Sequence, residues 1–153
     1  MATTGDNSRK QLVDGLNALL ADHFALHLKT KNFHWHVTGP RFRDLHLLFD
    51  EQALEIQQQI DLIAERVRKN QATTLTSLAK LIEHARIKGQ DSATLAPEDM
   101  LRELRDDNQQ LVASLKELKE LADKAGDNAS AGLIDGWTDM AEQRAWFLGA
   151  TLQ

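Results

Sequence analysis

Residues Lys31 to Arg68 read KNFHWHVTGPRFRDLHLLFDEQALEIQQQIDLIAERVR. The stretch sets histidines and carboxylates at the ends of two helices whose remaining pattern is that of packed core. Water solvates charge well and a protein interior solvates it poorly, so such placement calls for a metal or a partner charge. His46 and Asp50 are four apart, as are Asp61 and Glu65, so each pair stacks on one helical face. The eleven residues from Asp50 to Asp61 make nearly a whole number of turns, which puts both pairs on the same face. At about 1.5 Å of rise per residue the two aspartates still stand roughly 16 Å apart along the axis, whereas bonds to such metals run about 2 Å. One ion cannot touch both.

The midpoint of His46 and Glu65 falls between Glu55 and Ile56, and so does the midpoint of Asp50 and Asp61. Two copies lying antiparallel and crossing there would bring the His46/Asp50 end of one against the Asp61/Glu65 end of the other. A two-fold axis then gives two identical metal sites per dimer, each built from both chains. An apolar stripe of Leu45, Phe49, Ala53, Ile56, Ile60, Ile63 and Val67 runs beside the ligand stripe, with Leu47 and Leu54 on its far side. A carboxylate stripe between two apolar ones implies two packing partners, the subunit's own core and a neighbour. Spacing alone leaves a second reading open: a solvated acidic face beside a core stripe, the usual fate of helical charges.

Upstream, His23, His27 and His34 continue a stripe begun by Leu12, Leu16 and Leu19. Gly39-Pro40 ends that helix and turns the chain, because proline restricts the residue before it and cannot continue the ladder. In the resulting hairpin His34 and His46 lie at similar height on adjacent helices, which makes His34 a candidate ligand. His23 and His27 lie too far down the helix and read as hydrogen-bonded core or interface histidines. His36 points to another side.

The 153 residues suffice for one domain with a sizeable core. Apolar residues at 42% and charged residues at 27% suit a soluble globular chain, and two prolines and eight glycines suit an all-helical one. With no cysteine, neither a disulfide framework nor a thiolate zinc site is available. Met1 to Lys10 is polar, unlike a secretory signal, and no apolar run reaches the length of a membrane span. The cytoplasm is the default location. The expected organisation is a polar tail over residues 1–10 and one helical domain over residues 11–153. Within it, one helix runs from Ser8 to about Val37 and a second from about Phe42 to Asn70. A connector over Thr73–Gln90 carries a short helix around Ser77–Arg86. Pro97 opens a third long helix reaching about Lys124, and Gly126-Asp127 pairs a C-terminal glycine with an N-cap acid before a fourth, to about Gly149. The fold class is all-α: four long helices with one long crossover between the second and third, which match a ferritin-like four-helix bundle.

The run Asn32–Arg68 resembles the Dps family, small ferritin-like proteins of starved and oxidatively stressed bacteria. The resemblance rests on Asn-Phe-His-Trp-His, the Gly-Pro turn, His46, Asp50, Asp61 and the Glu65-Arg66 pair. The Glu-x-x-His motif of larger ferritins occurs nowhere in the chain. What the resemblance implies is a ferroxidase centre across a two-fold interface, with His34, His46 and Asp50 from one subunit and Asp61 and Glu65 from the other. It also implies Fe(II) oxidation, with hydrogen peroxide preferred to dioxygen, and ferric mineral stored inside a hollow homododecamer. That activity would protect DNA from hydroxyl-radical chemistry. Imidazole and carboxylate donors suit Fe(II) and also accept Zn(II) as a competitor. The family's tryptophan near the centre matches Trp35, for which interface or core bulk is the favoured reading and interception of stray oxidising equivalents the secondary one. Trp137 and Trp146 read as packing. The family's acidic three-fold pores point to the region of Asp123, Asp127 and Asp135, where Asn128 and Gly132 replace acids of some relatives; a plain helix cap explains Asp127 equally well.

The competing function is DNA compaction at the nucleoid with incidental metal chemistry. Members that bind DNA carry lysine-rich tails, but here Arg9 and Lys10 face Asp6 at the front, and the chain ends Ala-Thr-Leu-Gln. Net charge is −5. Since phosphate neutralisation drives nonspecific DNA affinity, weak or absent DNA binding is expected. A bundle without metal, its carboxylates forming interface salt bridges, is the third reading.

Overall fold

The computed structural model describes residues 4–153, and among them every regular element is helical. The elements are α1 (Thr4–His36), α2 (Phe42–Lys69), α3 (Leu78–His84), α4 (Pro97–Ala125) and α5 (Asn128–Thr151). The polar tail expected over residues 1–10 falls outside the described residues up to position 3. From Thr4 onward it is the first turns of α1, with an exposed Lys10–Asp14 pair at 3.0 Å. No described helix is long and apolar enough to cross a membrane.

Local chemistry sets the boundaries. Gly39, at φ 107°, takes a conformation closed to most side chains and turns α1 into α2. Gly126, at φ 69°, closes α4 as the amide of Asp127 reaches back to the Ala122 carbonyl. Asp127 then caps α5 by accepting the Ser130 amide at 3.0 Å. Pro97 stands at the start of α4, where its missing N–H costs nothing.

The antiparallel hairpins α1–α2 and α4–α5 pack through α1 on α4. Their shared core takes Leu12, Leu16 and Leu19 from α1, Phe49, Ile56 and Ile63 from α2, Leu104, Leu111 and Leu115 from α4, and Ile134, Trp137 and Leu148 from α5. The α2 stripe is buried as its spacing requires, except that Ile60 is only half-buried. The crossover is pinned to α1 by Asp22, whose buried carboxylate accepts the Arg86 and Ile87 amides at 2.6 and 3.1 Å. Lys29, also buried, donates to the Lys88 carbonyl and pairs with Glu103 and Asp107 of α4. α3 buries none of its residues and leaves Leu78 and Ile82 exposed.

Between α2 and α5 the seam is closed by long polar side chains. Arg66 holds both Asp127 oxygens at 2.9 Å and Ser130 Oγ at 2.8 Å. Gln59 reaches Met140 Sδ, and Gln52 reaches the Arg144 carbonyl. Arg144, 2% exposed, donates to Glu55 at 2.6 Å and to Asn108 of α4 at 2.8 Å. Breaking such a buried pair by removing one partner typically costs about 3–5 kcal/mol, because the other charge stays buried. Trp146 departs from the packing expected of it: it is 67% exposed, on an open groove of about 730 Å³ shared with Arg105, Lys116 and Glu142. Trp137 is buried as expected.

His23 is fully buried, its Nδ1 donating to the Leu19 carbonyl at 2.9 Å and its Nε2 set 2.8 Å from the Gln59 side-chain amide. Burial pulls its pKa down to about 4, against about 6.5 in an unfolded chain. As pH falls the unfolded chain takes up that proton first. The contribution of His23 is therefore complete above about pH 6.5 and lost progressively toward pH 4. Urea unfolding between pH 7 and 4 should show the wild type losing stability across this window and a His23→Gln variant losing less. Equal slopes for the two proteins would refute the assignment.

Candidate metal centre

The turn at Gly39-Pro40 sets the last residues of α1 beside the first turns of α2, and Arg41 ties it to the other hairpin through the Thr151 carbonyl at 2.9 Å. This brings His34 and His46 face to face, ring centroids 3.9 Å apart and planes 13° from parallel. Phe42 stacks on the outer face of His46 at 5.0 Å. The two histidines bond reciprocally: His34 Nδ1 donates to the His46 carbonyl and His46 Nδ1 to the His34 carbonyl, both at 2.7 Å. The His34 carbonyl lies in the last turn of α1, where carbonyls lack intrahelical partners, so His46 also completes that helix end. Both Nδ1 atoms must carry the proton, because a carbonyl can only accept. In the neutral rings each Nε2 therefore keeps its lone pair, the state a metal ligand needs.

Asp50, one turn beyond His46, closes this end of the face. Its Oδ1 lies 3.7 Å from His34 Nε2 and accepts from Lys31 Nζ at 2.7 Å. The Lys31 hydrogen bond is the largest influence on Asp50 and holds its carboxyl below the usual carboxylate range. Lys31 is a residue that the search for ligands in the sequence passes over. Its signal is there nonetheless, three residues before His34 on the same face and opposite in charge to Asp50.

Asp61 and Glu65 stand exposed three turns and more along α2. One chain thus unites His34, His46 and Asp50 and leaves the other two candidates apart. Among the described residues, no three His, Asp or Glu side chains of a single chain form a group able to hold a metal ion. Around both half-sets α1 and α2 expose large apolar side chains: Phe24, Leu28 (62%), Leu47, Leu54 (53%) and Leu62. Leu47 and Leu54 are legible in the sequence as a second apolar stripe; Phe24, Leu28 and Leu62 extend it. Trp35 belongs to this surface at 58% exposure, so the core reading of that residue fails for the single chain.

The remaining histidines divide as their positions suggest. His23 is held in the core by Gln59. His27 donates from Nδ1 to the Ala53 carbonyl at 3.0 Å, and His36 is exposed and bonded to Asn32. Of the three aspartates to which the resemblance pointed as pore candidates, Asp127 is consumed as the α5 cap and Arg66 partner, and its hydrogen bonds hold its carboxyl far below the ordinary range despite burial. Asp135 is paired with Lys119 at 2.8 Å, while Asp123 is exposed.

Comparison with known proteins places the chain. A family model for the ferritin-like domain matches residues 13–153. The DNA protection during starvation protein of Brevibacillus brevis is 36% identical over 138 residues, covering 90% of this chain and 92% of that protein. The crystal structure of a Dps protein from Bacillus brevis superposes with a TM-score of 0.93 at 33% identity, covering 100% of both chains. The Vibrio cholerae O1 Dps protein, described as a member of a broad superfamily of ferritin-like diiron-carboxylate proteins, superposes with a TM-score of 0.90 at 27% identity over 96% of this chain and 92% of that one. An all-helical bundle of this order, matched along nearly its whole length, makes the chain a member of the Dps family within the ferritin-like proteins.

Proposed function

We propose that the protein is an iron-sequestering ferroxidase that takes Fe(II) as substrate, oxidises it with hydrogen peroxide in preference to dioxygen, and stores the ferric product inside a hollow homododecamer. The observation that carries this reading is the reciprocally bonded His34/His46 pair beside Asp50, on the same helix face as Asp61 and Glu65. Two such helices crossing antiparallel at Glu55/Ile56 would complete each half-set with the other. The exposed apolar side chains flanking both half-sets suit a covered surface. The diiron-carboxylate description of the Vibrio cholerae protein and the name of the Brevibacillus brevis relative support iron chemistry in the service of DNA protection.

In this reading His34 and His46 bind Fe(II) through Nε2, oriented by the carbonyls that hold Nδ1. Asp50, Asp61 and Glu65 neutralise the bound cations and favour the more highly charged ferric product. Each Fe(II) gives up one electron; two such electrons and two protons convert one hydrogen peroxide to two waters. Zn(II) competes for the same donors. Asp127 and Asp135 are already engaged, which leaves Asp123 as the less committed acid for an iron entry route near the start of α5. Action in the cytoplasm, by chemistry rather than by coating of the nucleoid, fits a chain of net charge −5. Trp35 beside the site serves as interface bulk first and as a redox partner second.

Three measurements test the proposal. Saturating Zn(II) should raise the melting temperature of the metal-free wild type by mass action and leave an Asp50→Ala variant nearly unmoved; equal shifts in the two would argue against this site. His46→Ala and Asp61→Ala variants, each inactive alone, should regain part of their Fe(II) oxidation when co-assembled, because mixed dimers keep one complete site. Confirmed mixed assemblies without rescue would exclude a shared site. Near neutral pH and physiological salt the protein should barely retard plasmid DNA yet prevent its nicking by Fe(II) with peroxide, and Asp50→Ala should lose much of that protection. Tight, salt-sensitive retardation with protection intact in Asp50→Ala would make DNA binding the main activity instead.

A further inference from the structure

Lys31 stands on α1 one turn before His34, on the side facing α2, and its ammonium donates to Asp50 Oδ1 at 2.7 Å. That same oxygen is the one nearest His34 Nε2, at 3.7 Å. The cation is therefore seated at the carboxylate oxygen through which Asp50 faces the imidazoles. The side chains are partly shielded, Lys31 more than Asp50, so the pair is stronger than a fully solvated one while remaining open to exchange.

Resting on the metal-site reading above, we propose that Lys31 is an internal competitor for that site: its ammonium occupies the place of the incoming metal at Asp50 and must leave before the metal binds. The ammonium has somewhere to go. Its Nζ lies 6.0 Å from the centroid of the exposed Trp35 ring, within reach of a cation–π contact after release from Asp50. Displacement favours a cation that brings more than charge. A monovalent ion offers the carboxylate no more than the ammonium does, and hard divalent ions gain little from imidazole nitrogen. A transition-metal dication gains the nearby His34 Nε2 lone pair as well as the carboxylate. Lys31 thus lowers affinity for every metal and raises the selectivity for those that imidazole binds. It also partly neutralises Asp50 in the metal-free protein, easing carboxylate repulsion where two subunits would meet.

The test is calorimetric titration of metal-free, assembled protein with Zn(II), in the absence of oxidant. Lys31→Met keeps the aliphatic stem and removes the charge; it should bind Zn(II) about ten-fold more tightly than the wild type, the equivalent of losing one charge-assisted contact. Lys31→Arg keeps a cation that pairs well with carboxylate and should bind no more tightly than the wild type. Magnesium titrated first should compete with Zn(II) more effectively in Lys31→Met than in the wild type. Asp50→Ala, run in parallel, should bind Zn(II) more weakly. Weakened Asp50→Ala together with unchanged or weaker Lys31→Met overturns the competitor role and leaves the ferroxidase reading standing. Asp50→Ala titrating like the wild type overturns that reading, and the competitor role with it.

Discussion

The reciprocal bonds between His34 and His46 are the constraint on which the α1–α2 hairpin turns. Each imidazole spends its Nδ1 proton on the other residue's carbonyl, so the register of the two helices, the stacking of the rings and the tautomer of both histidines are one geometric fact. A hairpin slipped by a single residue would leave an unpartnered carbonyl in the last turn of α1 and rotate the His34 Nε2 lone pair away from Asp50. Stability and ligand readiness are thus supplied by the same two bonds.

The rest of the molecule protects that arrangement from a distance. Arg41 fastens the turn to the end of α5, and Asp22 and Lys29 hold the crossover against the middle of α1. At the other end of α2, Arg66 clamps the cap of α5 immediately beside Glu65. The candidate residues at either end of α2 are therefore mounted on a helix that is anchored at both ends.

Much of this arrangement is legible in the amino-acid sequence. Spacings of three and four from Leu45 to Val67 mark the buried face of α2, and Gly39-Pro40 marks the turn that pairs His34 with His46. Where sequence and structure part, the causes are specific. Bulk alone suggests packing for Trp146, yet it lies two positions off the buried line of Trp137, Ala141, Arg144 and Leu148, and so faces outward. Arg144 itself occupies that buried line, and Asn108 occupies the corresponding line on α4 between Leu104 and Leu111. Two polar residues at core positions of neighbouring helices are a signal of mutual pairing, but one that only a search for polar breaks in an apolar period would find. Helix α1 begins earlier than its pattern suggests because residues 4–7 carry no apolar period that could register. The pairing of Asp61 and Glu65 with His34, His46 and Asp50 is legible only as an expectation from their shared face and their distance along α2, since a single chain leaves the two half-sets apart.

The Arg144–Glu55–Asn108 triad carries a consequence for how the two hairpins find each other. Leucines recur along α4 so regularly that a displacement of the α1–α2 hairpin by seven residues would still meet leucine with leucine. Such a slipped mate would press the Arg144 guanidinium against aliphatic side chains with no carboxylate in reach, at a cost comparable to losing a buried ion pair. Among the many alignments that greasy surfaces tolerate, the buried charges of Arg144 and Lys29 leave one. The uniqueness of the native arrangement is owed to the least oily residues inside it.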